Sequence, residues 1–351
     1  MKAVILAGGE GTRLRPLTLT TPKPVVPVVD RPFLRHQLDL LASVGVREVV
    51  FLVAYRPERI EAVFGDGTAF GVRIRYLVED PPLGTGGAVR NALPHLDTRT
   101  IVLNGDVLTD VDLPAVLTRH EQTGAKATLV LAPVDNPAAY GLVLTNSAGR
   151  VLSFIEKPEP SQIATNTINA GIYVLETATL ELIPPHVNHS IERGFFPALL
   201  ARGDQVTGYI HRGYWIDIGT PEKYLRVHQD ILSGDFRVEL MGVRKQGGVV
   251  STTAQVAAGA RLRAPFFVGP GCAIEAQAEI GPGATLVAGV RVAGEARVRD
   301  SVLWSGVEIG RGARVEGALL GPAVRVGGHA SVLRGAVLGE GSVVSDHSRS
   351  A

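Results

Sequence analysis

Aliphatic residues recur at every sixth position along the last third of the chain. Val256, Leu262, Val268, Ile274, Ile280, Leu286, Val292 and Val298 follow one another at that interval. After a slip of one residue come Leu303, Ile309 and Val315, and after a second slip Leu320, Val326, Val332, Leu338 and Val344. The interval fits neither a helix nor a free-standing strand. It fits a chain that turns a corner after each short extended stretch and stacks one aliphatic side chain inward per stretch. Glycine often follows the aliphatic residue, as in VGPGCA, IGPGAT and IGRGAR. A low-complexity linker would not hold so regular a spacing.

This segment resembles the left-handed parallel β-helix built of hexapeptide repeats, and we expect it to occupy residues 251–351. Residues 235–250 read as a linker, and the polar end Ser345 to Ala351 reads as frayed. Residues 1–234 have a different texture. VILA, EVVFLVAY, RIRYLVE, TIVLNGD and KATLVLAPV read as strands, and FLRHQLDLLASVG, PERIEAVFG, GGAVRNALPHL and LPAVLTRHEQTG as helices. Strands alternating with helices predict an α/β domain with a mainly parallel, covered sheet, whose ligands bind at the carboxyl ends of the strands.

The formal net charge of +1 gives no field for nucleic acid or a membrane surface. The single cysteine, Cys272, cannot form an internal disulfide, and no apolar run reaches bilayer length. A cytoplasmic location is the expectation.

The first strand runs into Gly8-Gly9-Glu10-Gly11-Thr12-Arg13-Leu14-Arg15-Pro16-Leu17-Thr18, followed by Pro22-Lys23-Pro24. A glycine-rich turn ahead of a helix offers inward N–H groups to an anion, and arginine forks suit phosphate oxygens. The dinucleotide pattern would need glycine at Leu14, and the Walker pattern needs a Gly-Lys-Ser/Thr that is absent. Asp106 closes the strand IVLNGD, and Asp217 lies in WIDIG; Mg²⁺ takes such carboxylates together with phosphate oxygens. Glu79 ends a strand before Gly84-Thr85. A carboxylate accepts hydrogen bonds, and guanine offers two adjacent donor sites where uracil and thymine offer one, so Glu79 suits guanine.

The string AGGEGTRLRPLT with PKP resembles the signature of the sugar nucleotidyltransferase family, over nearly the whole chain. The resemblance implies a Rossmann-like catalytic domain with a mixed, mainly parallel sheet, Mg²⁺ as cofactor, and a nucleoside triphosphate and a sugar 1-phosphate as partners. It implies that Leu6, Gly8, Gly9, Gly11, Thr12 and Arg13 hold the nucleotide, with Glu79, Gly84 and Thr85 at the base. Arg13, Lys23, Asp106 and Asp217 become the catalytic set, the two aspartates on the metal. Tyr140, Gly141, Glu156, Lys157, Asn169 and Gly171 become the sugar-phosphate set. PLTLTTPKP, LGTGGA, LNGDVL, INAGIYV and SIERGFFPALL resemble the branch that joins GTP to mannose 1-phosphate; glucose 1-phosphate with dTTP or UTP is the alternative. No enzyme nucleophile is required, because the sugar phosphate is already largely dianionic at neutral pH. Two rivals weigh less. A hexapeptide acyltransferase would need a histidine base, and the repeats hold only His329, with His347 in the tail. A silent regulatory subunit would be expected to lack Arg13, Lys23 or the aspartates. The β-helix predicts a homodimer or homotetramer.

Overall fold

The computed structural model describes every residue except 156, 157, 160, 162 and 164. Packing divides the chain into two compact units, Met1–Gly9 with Leu34–Trp215, and Glu10–Phe33 with Ile216–Ala351.

The first unit is built on a mixed nine-stranded sheet. Its centre is parallel: Arg99–Asn104, Lys2–Leu6, Glu48–Val53 and Arg73–Val78 lie side by side in that order. These are nearly continuous apolar runs, as strands covered on both faces must be; Ala3, Val4 and Ile5 are fully buried. Thr167–Glu176 then adds antiparallel to Arg99–Asn104, and Ala127–Pro133 adds antiparallel to it. The expected helices form at Pro57–Phe64, Gly84–Asn91 and Leu113–Thr123. The last is capped as its sequence dictates, by the Asp112 carboxylate at the start and left-handed Gly124 at the end. Asn169-Ala170-Gly171 lies inside Thr167–Glu176 at an interruption of the pairing. Gly171 has φ +75°, a backbone that breaks the ladder there and that only glycine adopts freely.

In the second unit the repeats form three parallel sheets of two- and three-residue strands, each strand pairing with the one a full coil later. Every aliphatic residue of the six-residue series falls in a strand, and together they line one continuous core, with Val256, Leu262 and Leu338 partly buried at its margins. The slips do not break the ladder: Leu286 pairs with Leu303, and Leu303 with Leu320. Two expectations fail at the margins. The linker contains a strand, Val243–Lys245, antiparallel to Gly248–Val250. The tail is not frayed, because Arg349–Ser350 pairs with Ser331–Val332 and the His347 ring stacks on His329 at 5.2 Å. Unpaired N–H groups on Ser331 and Leu333 need acceptors, and the Ser348 and Ser350 carbonyls supply them at 2.8 and 2.9 Å.

The glycine loop also departs from expectation. It leads into three short 3₁₀ turns, Thr12–Leu14, Leu17–Leu19 and Lys23–Val25, and the first α-helix is Phe33–Ala42. Pro16, Pro22 and Pro24 lack the N–H groups a continuous helix would need. Leu14, Leu17 and Thr18 are buried and anchor the turns. The helix Pro221–Ser233 buries Tyr224 completely; its hydroxyl donates to the Pro27 carbonyl and accepts from the indole N–H of Trp304 at 3.0 Å.

Candidate active site

The predicted residues divide between the two units. In the second, Gly11 has φ +64°, and the Thr18 hydroxyl donates to its carbonyl at 2.7 Å, closing the loop on itself. A Cβ on Gly11 would lie 3.6 Å from that of Lys23, so the lysine stem begins beside the glycine turn. Arg13 and Asp217 converge at Gly219. A Cβ there would come within 2.6 Å of the Asp217 carboxylate and 2.8 Å of the Arg13 guanidinium, so only glycine leaves room for both. Asp217 is 9% exposed and forms an ion pair with Lys223, at the start of the next helix. Lys223 was not foreseen; its only sequence signal is its position just after the Thr220-Pro221 helix start.

In the first unit, the Leu6 carbonyl accepts the Gly105 N–H at 2.9 Å. The buried Gln37 amide donates to the Asn104 and Val107 carbonyls, both at 2.8 Å. The turn that carries Asp106 is thus tied on both sides. Gly8 lies at the carboxyl end of Lys2–Leu6, beside Ala54, and Gly9 is exposed. The Asn104 side chain faces Gly171, and its Oδ1 is buried without a hydrogen-bond partner.

Glu79 sits just beyond Arg73–Val78. One carboxylate oxygen accepts the Leu83 N–H at 3.0 Å. The other is buried and has no donor. Burial pushes the carboxyl pKa up, and the Leu83 hydrogen bond partly offsets this.

Gly84 and Thr85 open the helix Gly84–Asn91 against the segment Asn188–Ile191. The Thr85 hydroxyl donates to Glu192 at 2.9 Å and accepts the Ile191 N–H at 2.9 Å. Glu192 also accepts from Ser190 and from the Tyr173 hydroxyl, which in turn accepts from Asn169 at 2.7 Å. One carboxylate therefore links the predicted nucleotide residue Thr85 to the predicted sugar residue Asn169. Sequence reasoning noted Ser190-Ile191-Glu192 but gave Glu192 no role. Tyr140 stands edge-on to Trp215 at 5.6 Å, and the Trp215 indole donates to the Ala170 carbonyl at 2.9 Å, between Asn169 and Gly171. Gly141 accepts the Asn169 N–H at 2.9 Å. Glu156 and Lys157 lie outside the described residues.

Among the described residues no group of three metal-binding side chains occurs. Asp106 and Asp217 lie in different units, and each offers a single hard carboxylate of the kind that Mg²⁺ takes together with substrate phosphate oxygens and water. Cys272 is buried in the β-helix core with its thiol pKa pushed up, and offers no nucleophile.

Residues 2–234 match the nucleotidyl transferase family, and residues 249–349 match the GMPPB C-terminal domain. The chain belongs to the nucleotidyl transferase family. A protein of Mycobacterium tuberculosis named mannose-1-phosphate guanylyltransferase is 43% identical over 83% of this chain and 80% of its own. A Synechocystis protein named UTP–glucose-1-phosphate uridylyltransferase is 32% identical over 82% of this chain and 86% of its own. HddC from Yersinia pseudotuberculosis, solved with GMP-PN, is 30% identical with a TM-score of 0.57, covering 65% of this chain and 98% of that one. As a nucleotidyltransferase the protein moves a nucleotidyl group from a nucleoside triphosphate, and a divalent metal ion goes with that chemistry. Among the described residues no helix is long and apolar enough to cross a membrane.

Proposed function

We propose that the protein transfers GMP from GTP to mannose 1-phosphate, giving GDP-mannose and pyrophosphate, with Mg²⁺ as the ion. The observation that carries the guanine assignment is the buried, donorless oxygen of Glu79. A desolvated acceptor is costly until a donor reaches it, and guanine brings the N1–H and N2–H pair. The name of the Mycobacterium relative supports the same substrates. A phosphate oxygen of mannose 1-phosphate attacks the α-phosphorus; the bond from that phosphorus to the bridging oxygen breaks, and its electron pair leaves with pyrophosphate. Arg13 and Lys23 stabilise the charge on the leaving phosphates, and rate comes from positioning and charge neutralisation. Asp106 and Asp217 would hold Mg²⁺, which when bound neutralises phosphate oxygens. Thr85 orients the nucleotide, and Tyr140, Gly141, Asn169 and Gly171 line the hexose, with Glu156 and Lys157 as sequence-based additions. We assign residues 1–234 to catalysis and 251–351 to the β-helix, joined by 235–250, in a cytoplasmic homodimer or homotetramer.

Pyrophosphate release should be measured with Mg²⁺, each nucleoside triphosphate, and mannose or glucose 1-phosphate. Release confined to GTP with mannose 1-phosphate is expected. Release with UTP or dTTP and glucose 1-phosphate would support the second reading, which the Synechocystis relative favours.

Glu79→Gln is expected to lower kcat/KM for GTP by about tenfold or more, the cost of one charge-assisted hydrogen bond, and to narrow the gap to UTP. An unchanged nucleotide ranking would remove Glu79 from base selection. The same carboxyl has a pH signature. Its folded pKa is raised, so its contribution favours folding below the unfolded pKa and is lost as pH rises through the folded value. Glutamine does not titrate. The thermal midpoint of Glu79→Gln relative to the parent should therefore climb from acid to neutral pH; a flat difference would contradict the desolvated carboxylate.

A further inference from the structure

In the seven-stranded sheet of the β-helix, the inward residues Val268, Leu286, Leu303, Leu320 and Leu338 are followed by Gly269, Val287, Trp304, Gly321 and Gly339. Four of the five are glycine or valine. Trp304 is the exception. It is 2% exposed, lies outside the aliphatic core of the coils, and directs its indole N–H at Tyr224. Tyr224 is itself completely buried and donates its hydroxyl hydrogen bond to the Pro27 carbonyl. Farther along the same column Pro16 rests on Gly339, where a Cβ would lie 3.0 Å from the proline ring. Pro16 and Pro27 bracket the stretch that carries Lys23, and Arg13 lies just before it. One column of the β-helix thus supports the loop at both ends, at one end through two hydrogen bonds in series, the first of them buried.

We propose that Trp304 is a positioning residue for nucleotidyl transfer, acting through Tyr224 to hold the Arg13–Lys23 loop in the shape that receives the triphosphate. This rests on the reading of Arg13 and Lys23 as triphosphate ligands. The indole N–H fixes the Tyr224 hydroxyl as an acceptor on one side, which directs its proton to Pro27 on the other. Phenylalanine at 304 fills most of the volume but leaves that hydroxyl free to turn away.

Trp304→Phe should raise KM for GTP about tenfold, the value of one buried hydrogen bond, and leave KM for mannose 1-phosphate within about twofold. Hydrogen exchange should quicken at the loop amides of Leu14, Val25 and Val26, whose bonds to Gly11, Pro22 and Lys23 hold the turns, and not at the coil amides of Thr285 and Val302. Tyr224→Phe should give the same selective loss, and the double variant should be no worse than Tyr224→Phe alone, because both substitutions break one relay. Equal changes in both KM values with quickened coil amides, or no change in loop exchange and kinetics, would overturn the proposal. Arg13→Ala and Lys23→Ala are run alongside. If they lose GTP turnover while Trp304→Phe leaves KM for GTP and loop exchange unchanged, positioning by Trp304 is refuted and the function stands. If Arg13→Ala and Lys23→Ala keep GTP turnover as well, the triphosphate role of the loop is refuted too.

Discussion

Arg13→Ala is expected to lower kcat by roughly 10²–10³, the usual cost of removing one preorganised charge from a transition state, with the fold unchanged. Arg13 is exposed, so no core contact goes with it. What goes is the guanidinium that shares the neighbourhood of Gly219 with the Asp217 carboxylate. A cation beside an acidic group is the arrangement expected where metal-bound phosphate must be gripped from both sides. Arg13→Lys keeps the charge but not the fork and should recover only part of the rate. Lys23→Ala should behave like Arg13→Ala. The check is pyrophosphate release together with the thermal midpoint. Near-normal turnover, or a loss of activity matched by a loss of folded protein, would contradict the assignment.

Gly269→Ala is expected to destabilise the β-helix by more than about 3 kcal/mol, beyond the ordinary range for surface changes. A Cβ at Gly269 would overlap the carbonyl oxygen of Val287, one coil later, and that atom belongs to the ladder and cannot move away. The Gly269 N–H also donates to the Leu286 carbonyl at 2.8 Å, so backing the residue off breaks a coil-to-coil bond. Gly328→Ala is the contrast. The nearest atom to a Cβ there is 3.6 Å away, and the cost should stay below about 1 kcal/mol. Denaturant or thermal unfolding of the two variants measures the difference. Similar midpoints would mean the coils are more compliant than their geometry allows.

The β-helix was legible because its signal is redundant: each aliphatic residue from Val256 to Val344 repeats the same instruction, and two slips did not disturb it. Its ends were harder to read. Neither Val243–Lys245 nor Arg349–Ser350 carries the aliphatic period, and both become strands because the coil beside them has groups left to pair. The glycine loop was marked out by Gly11, Arg13 and Lys23, but its shape was not, because the prolines decide against helix. Asn169 was found as a motif, yet its place inside a strand depends on pairing with a segment far away in sequence. Glu192 and Lys223 were hidden for a simpler reason. A glutamate in SIERG and a lysine early in a helix are ordinary on any surface, and only the third dimension brings the first to Thr85 and Tyr173 and the second to Asp217.

The segment Glu10–Phe33 groups by packing with Ile216–Ala351, residues made much later in the chain. For a chain made from its amino terminus at about 5–20 residues per second, this sets a timetable. The loop leaves the ribosome first, and its partners Tyr224, Trp304 and Gly339 follow only after tens of seconds, on the order of the whole synthesis time. Until then the parallel strands of the first unit can pair, but the loop lacks the Tyr224 and Trp304 side chains it packs with. The nascent protein thus gains its central strands early and the packing of its glycine loop last, and a chain stopped before Trp304 would carry the loop residues without the surface they pack on.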